Sequence, residues 1–313
     1  MKTSGFTEDI SKEMSIANPM PVEHGYGNIT QCYVSISGHT RLFTATKYGK
    51  RYMLKCLKAD FLYTPVYRQA LSKEFEIGQQ LEHPFICRTI GMEEIAPLGT
   101  TIVMEYVDGD NLQSLIHKHQ LTAELAHKIT HQLMDALEYM HNKQMIHRDL
   151  KPSNIMVTHN GQNVKLIDFG LSDSDSFTVL KLPAGTSGYI APEQLMPGAK
   201  SEPRADIYSL GMVIHDMAEE TGDKELQRIA DIATSRDLEM RPKSIAALRA
   251  AISASTSTPR PAITLLSVLI ALLLFAIGFT YYHRQQQAAT AIPSEENVEG
   301  DGGNTVLDYQ QWK

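Results

Sequence analysis

Residues 146–157 read IHRDLKPSNIMV, and this stretch decides the fold. A carboxylate, Asp149, lies five residues before an amide, Asn154, with Lys151 between them. Transfer of a phosphoryl group needs these types of side chain. Asp149 can accept the proton of a substrate hydroxyl, Lys151 can neutralise the moving phosphoryl group, and Asn154 offers an oxygen to a hard cation. Eleven residues after Asn154 the chain reads KLIDFG. There Asp168 supplies a second oxygen ligand for Mg²⁺, and Gly170 gives the backbone beside it freedom.

Working outward, the pattern changes from helical to extended. Thr122 caps a helix whose apolar face is Leu125, Ile129, Leu133, Leu137 and Met140. Before it, QCYVSIS, RLFTATK, RYMLKCL and TTIVMEYV are short runs rich in β-formers, with a turn at Tyr48-Gly49-Lys50. The run TPVYRQALSKEFEIGQQLEH between the last two reads as a helix. A small β-rich lobe therefore precedes a larger α-rich lobe, an α+β fold. The helix at Thr122 also carries His127 and His131, an i,i+4 pair. No glutamate follows His127, so the pair reads as surface histidines rather than a metal site.

The matches HRDLKPSN (His147–Asn154), DFG (Asp168–Gly170) and APE (Ala191–Glu193) occur in this order. With them the chain resembles the eukaryotic-type (Hanks-type) serine/threonine protein kinase family over roughly residues 31–253. The DLKPSN form is similar to the serine/threonine branch, not the tyrosine branch. The resemblance implies a bilobal protein kinase fold, ATP with Mg²⁺ or Mn²⁺, and protein substrates with Ser/Thr acceptors. Lys55 resembles the lysine that holds the α- and β-phosphates. Its expected partner is Glu74, at the family spacing before His83-Pro84; Glu76 is the runner-up, about 200° away around a helix. Met104 resembles the gatekeeper, and Glu105 to Val107 the hinge that meets adenine. Met156 is expected under the adenine ring, and Val34, Gly38 and Leu42 around the nucleotide. Asp206 and Gly211 resemble the helix that anchors the catalytic loop, and Arg241 the partner of Glu193. In the activation segment, Asp168 to Glu193, Ser172, Ser174, Ser176 and Thr178 are candidate phosphorylation sites, with Arg148 able to clamp a phosphate. Gly185-Thr186 matches the threonine position that contacts the catalytic loop. Self-association and autophosphorylation are open to such a chain.

The pattern departs from the family in two places. HGYGNIT, residues 24–30, resembles a glycine-rich phosphate loop, but thirty residues separate Gly25 from Lys55, too many for a tight hairpin. Counting back from Lys55, Leu42-Phe43-Thr44-Ala45 resembles the segment after the loop, which places the loop at SISGHT, residues 35–40, with one glycine. Gly25 and Gly27 then read as a turn into the first strand. The second departure is a shortening: only 35 residues separate Asp206 from Arg241, so a helix after the anchoring helix is expected to be missing.

Hydrophobic residues make up 42% of the 313 and charged residues 21%, which fits a globular core. The net charge of −7 disfavours a nucleic-acid partner. Cys32, Cys56 and Cys87 are odd in number and widely spaced, against a disulfide framework or zinc knuckle and for a reducing compartment. MKTSGFTEDISKEM, at the start, lacks the apolar run of a secretory signal. Ala262 to Tyr282 holds no charged residue in 21 positions, long enough to span a membrane.

The expected order is a leader (1–30), the kinase domain (31–253), a linker (254–261), a transmembrane helix (262–282) and a disordered acidic tail (283–313). Such a compact kinase with one C-terminal span resembles a bacterial member. Arg241, Lys243, Arg249 and Arg260 precede the span, and by the positive-inside rule they place the kinase domain in the cytoplasm and the tail on the opposite side. The alternatives are a pseudokinase that scaffolds a partner at the membrane, suggested by the depleted loop, and a small-molecule kinase, which the APE motif and Gly185-Thr186 disfavour.

Overall fold

The computed structural model describes residues 25–35, 39–170, 173–174, 188–196, 202–256 and 261–289. The chain divides into two units, Met1–Ser255 and Thr256–Lys313. The first opens with an antiparallel sheet of β1 (Gly27–Val34), β2 (Thr40–Lys47), β3 (Lys50–Leu57), β4 (Thr89–Ile95) and β5 (Gly99–Glu105), ordered β1-β2-β3-β5-β4. Between β3 and β4 runs α1 (Pro65–Gln79), which starts on a proline whose fixed φ and missing N–H suit the first turn. The sheet buries one apolar layer of Phe43, Ala45, Leu54 and Val103, and another of Leu57 and Ile102 against Leu71 of α1.

The expected strands form, with two differences. β1 starts at Gly27, inside the stretch assigned to a leader and a turn. Asn28 takes a φ of 51° and the β1–β2 register shifts beside it, so the turn-like composition of GNIT marks a bulge within a strand. The other difference is β4, which lies outside the expected strands. Its sequence, TIGMEEI, has neither clean alternation nor a β-branched run.

The second lobe is built on α2 (Leu112–His117), α3 (Ala123–Asn142), α4 (Pro203–Thr221), α5 (Lys224–Ala233) and α6 (Ile245–Thr256). Thr122 Oγ1 accepts from Leu125 N at 3.2 Å, capping α3, and Leu125, Ile129, Leu133, Leu137 and Met140 are all buried. β6 (Gly109–Asn111), β8 (Ile155–Thr158) and β9 (Val164–Leu166) form a small sheet, and β7 (Met145–Ile146) pairs with β10 (Asp173–Ser174). Against the expectation that the helix after the anchoring helix is missing, a helix, α5, follows α4 directly and stands between it and Arg241. It packs close: a Cβ on Gly211 of α4 would lie 2.7 Å from Thr234 Cγ2 and 2.8 Å from Ala233 Cβ. His127 Nε2 meets Asp223 Oδ2 at 3.0 Å and ties α3 to the cap of α5, and the described residues hold no metal-ligating cluster. All three cysteines are free thiols.

The second unit contains α7 (Pro261–Ala289). Its residues 267–287 are long and apolar enough to cross a membrane, by length and composition.

Candidate active site

The catalytic loop is shaped by a buried carboxylate from elsewhere in the chain. Asp206, on α4, is fully buried. Its Oδ2 accepts from His147 N at 2.8 Å and from His141 Nε2 at 2.8 Å, and its Oδ1 accepts from Arg148 N at 2.9 Å. Burial pushes this carboxyl up, but the His141 hydrogen bond and the Arg148 N–H outweigh it and hold Asp206 below the usual carboxylate value. Arg148 can then keep a φ of 66°, a left-handed conformation that costs a side-chain-bearing residue roughly 1–2 kcal/mol. His147 packs edge-on against Phe169, centroids 5.7 Å apart.

Asp149 follows, buried, and two neighbours fix it by one oxygen. Lys151 Nζ donates to Oδ2 at 2.7 Å, and Asn154 Nδ2 donates to Oδ2 at 3.0 Å and to the Asp149 carbonyl at 2.9 Å. With Nδ2 engaged on Asp149, Asn154 has Oδ1 left to offer a cation.

Across the cleft, Lys55 on β3 is buried between two carboxylates. Nζ lies 2.5 Å from Glu74 Oε1 and 2.7 Å from Asp168 Oδ1. Burial alone would lower the Lys55 pKa, but Asp168 and Glu74 more than offset it, and the ammonium is held above its ordinary value. Burial pushes Asp168 up, and Lys55 outweighs this and holds it at about 2. Of the two candidate glutamates, Glu74 makes the pair and is buried, and Glu76 is exposed on α1.

The remaining expected residues are placed as follows. Leu42 pairs with Lys55 across β2–β3, so both share one face of the sheet. The β1–β2 ladder shifts at Cys32, which pairs Tyr33 with Leu42 and Val34 with Arg41. Pleating therefore puts Tyr33, not Val34, on the Leu42 face, and Val34 is not brought to it. Of SISGHT, Ser35, His39 and Thr40 are described: Ser35 N donates to Thr40 O at 3.1 Å, where β1 and β2 pair. Gly38 lies outside the described residues, as do Ser172, Ser176, Thr178, Gly185 and Thr186. Met104 and Glu105 end β5, and Val107 is half-buried just beyond it. The Glu105 carboxylate turns back to Arg88 N at 2.8 Å and Lys165 Nζ at 2.7 Å, and the Glu105 N–H donates to the Arg88 carbonyl at 3.0 Å. Met156 sits half-buried on β8, paired with Asn111 of β6.

Arg241 is 1% exposed and donates to Glu193 through both terminal nitrogens, at 2.6 and 3.1 Å, and to the carbonyls of Ser235 and Arg204. Sequence reasoning missed the link made by Tyr189, whose hydroxyl donates to Asp216 Oδ2 at 2.5 Å while Ser209 Oγ donates to its carbonyl at 2.7 Å. Only the fold brings these residues of α4 to the segment before Ala191.

The donor set suits a hard cation that brings phosphates with it. One ionised carboxylate and one amide oxygen are too few for an all-protein cage, but they match Mg²⁺, which commonly takes one or two carboxylates plus substrate phosphates.

The family model described as a protein kinase domain matches residues 23–272. A protein named "Probable serine/threonine-protein kinase SCO3848" of Streptomyces coelicolor is 35% identical over 181 residues, 55% of this chain and 27% of that one. Serine/threonine-protein kinase ppk25 of Schizosaccharomyces pombe is 38% identical over 149 residues, 47% of this chain and 35% of that one. Serine/threonine-protein kinase PknA of Mycobacterium tuberculosis is 35% identical over 173 residues, 53% of this chain and 40% of that one. The chain thus spans less than half the length of these curated relatives.

Proposed function

Because this chain belongs to the protein kinase domain family, we propose that it is a serine/threonine protein kinase that transfers the ATP γ-phosphoryl group to protein hydroxyls and is tethered to a membrane by α7. One observation carries the enzyme reading: Asp149 is fixed by Lys151 and Asn154 while Lys55 is held between Glu74 and Asp168. Lys55 binds the α- and β-phosphates. Asn154 Oδ1 and the Asp168 carboxylate would hold Mg²⁺, which when bound would neutralise charge on the phosphates. Asp149 takes the proton from the acceptor hydroxyl as its oxygen bonds to phosphorus, Lys151 offsets the charge on the moving group, and ADP leaves. The branch is tested by incubating the full chain in detergent with labelled ATP, Mg²⁺ and a generic protein acceptor, then hydrolysing the product. Phosphoserine or phosphothreonine is expected, and label confined to phosphotyrosine overturns the assignment.

The catalytically silent scaffold is favoured by one feature, a β1–β2 loop with a single glycine, whose backbone has less freedom to wrap phosphates. A melting temperature that ignores millimolar MgATP would favour that reading.

The membrane reading rests on the length and apolar composition of residues 267–287, and the bacterial names among the relatives fit the compact, single-span build. For orientation, Arg241 and Arg249 count for less than their positions suggest. Arg241 is buried on Glu193, and Arg249 is paired with Asp135 at 2.5 Å and Glu138 at 3.6 Å. Lys243 and Arg260 remain, together with the need of the first unit for ATP, in support of a cytoplasmic kinase domain.

A further inference from the structure

Helix α1 carries a glycine, Gly78, one turn after Glu74. Its φ is not left-handed and it precedes the helix end, so no cap geometry asks for glycine there. Glycine inside a helix is also entropically unfavourable beside alanine. What the position demands is room. A Cβ on Gly78 would collide with Thr89 Oγ1 and stand 3.0 Å from Thr89 Cβ. Rotating the threonine could move Oγ1 away, but it cannot move Cβ. Thr89 is buried at the start of β4, and its carbonyl accepts from Gln79 Nε2 at 3.1 Å, a second stitch at the same point. Residues four apart share a helix face. The face seated on Thr89 is therefore the face from which Glu74 reaches Lys55 at 2.5 Å.

We propose that Gly78 is a positioning residue for phosphoryl transfer: its missing side chain lets α1 seat on Thr89, and that seat keeps Glu74 within reach of Lys55. The activity readout rests on the kinase reading above, and the binding readout does not. A side chain at 78 has to lift the end of α1 from β4, and the displacement is passed along one turn to Glu74. Gly91, two residues beyond Thr89 on β4, has nothing within 4 Å of a built Cβ and is the natural control.

The test uses the full chain in detergent, with Kd for a fluorescent ATP analogue plus Mg²⁺ and kcat/KM for phosphoryl transfer. Gly78→Ala is expected to weaken both at least tenfold, and Gly91→Ala to stay within twofold of wild type. Adding Thr89→Gly to Gly78→Ala is expected to bring both values back within threefold of Thr89→Gly alone. Adding Gly78→Ala to Glu74→Gln is expected to cost less than twofold further, because the glycine acts through that carboxylate. A purely structural role would make those two losses multiply. Gly78→Ala within twofold of wild type, no recovery in the Thr89→Gly double variant, or multiplying losses each overturn the proposal. If Gly78→Ala does not fold, the double variant decides: folded and active supports the seat, unfolded rejects it. A wild type that binds the analogue but transfers nothing overturns the kinase reading and leaves Gly78 to be judged on Kd. One that binds no nucleotide overturns both.

Discussion

Replacing Asp206 by asparagine removes one charge and keeps the shape, and its consequences can be worked from three hydrogen bonds. Arg148 N donates to one oxygen, and His147 N and His141 Nε2 to the other. Asparagine has a single carbonyl oxygen, so at least one buried N–H is left facing an amide NH₂. Hydrogen bonds to charged groups contribute about 1.5–3 kcal/mol each, and breaking a buried charged arrangement typically costs about 3–5 kcal/mol. A domain of this size moves by about 2–4 °C per kcal/mol, so Asp206→Asn is expected to lower the melting temperature of the first unit by about 6–20 °C. The loss extends to catalysis, because the same N–H groups set the conformation of Arg148, next to Asp149. The pH dependence has a definite sign. Asp206 is depressed in the folded state below the unfolded value of about 3.9. Its stabilisation is therefore complete above that value and is lost only as pH falls through the folded one. Circular dichroism melts of wild type and variant should differ by the same interval at pH 7 and pH 5, and converge below about pH 4. A variant melting within about 2 °C of wild type, or an interval that already shrinks between pH 7 and pH 5, refutes the reasoning.

Glu74→Gln should lower kcat/KM by about tenfold or more, since a charge-assisted hydrogen bond of ~1.5–3 kcal/mol is lost, whereas Glu76→Gln should stay within about twofold. Equal effects in a steady-state assay would reject the assignment of Glu74. Arg241→Leu strands Glu193 and two carbonyls and should destabilise by about 3–5 kcal/mol; lysine should rescue little, because one ammonium cannot serve the carboxylate in bidentate fashion. Urea unfolding of the three proteins gives the answer, and a lysine variant as stable as wild type contradicts it. The full chain should stay in the membrane pellet after an alkaline carbonate wash, and release into the supernatant would rule out a spanning α7.

The parts of the site that lie close together along the chain are legible in the amino-acid sequence. Asp149, Lys151 and Asn154 sit within six residues, and their types are those that phosphoryl transfer needs. Glu74 is legible through a ruler, its distance from His83-Pro84, and helical rotation separates it from Glu76. The same kind of ruler, counted back from Lys55, moves the expected phosphate loop from HGYGNIT to SISGHT, and Gly27 to Thr30 of the first stretch lie in β1. Where a property depends on register or on tertiary approach, the linear pattern is silent. The bulge at Cys32 turns Val34 off the Leu42 face, and no local signal marks it. β4 escapes because TIGMEEI lacks alternation. Gly78 reads as a weak helix former until Thr89 is seen against it, eleven positions away.

The central claim is that Asp149 is the base of an ATP-dependent protein kinase. The most direct measurement is ³²P incorporation into a protein acceptor by the full chain with [γ-³²P]ATP and Mg²⁺, beside Asp149→Ala prepared identically. Labelling by wild type that falls by roughly 10²–10⁴-fold in the variant, the usual contribution of a general base, is the predicted result. Equal, background-level labelling by both proteins contradicts it.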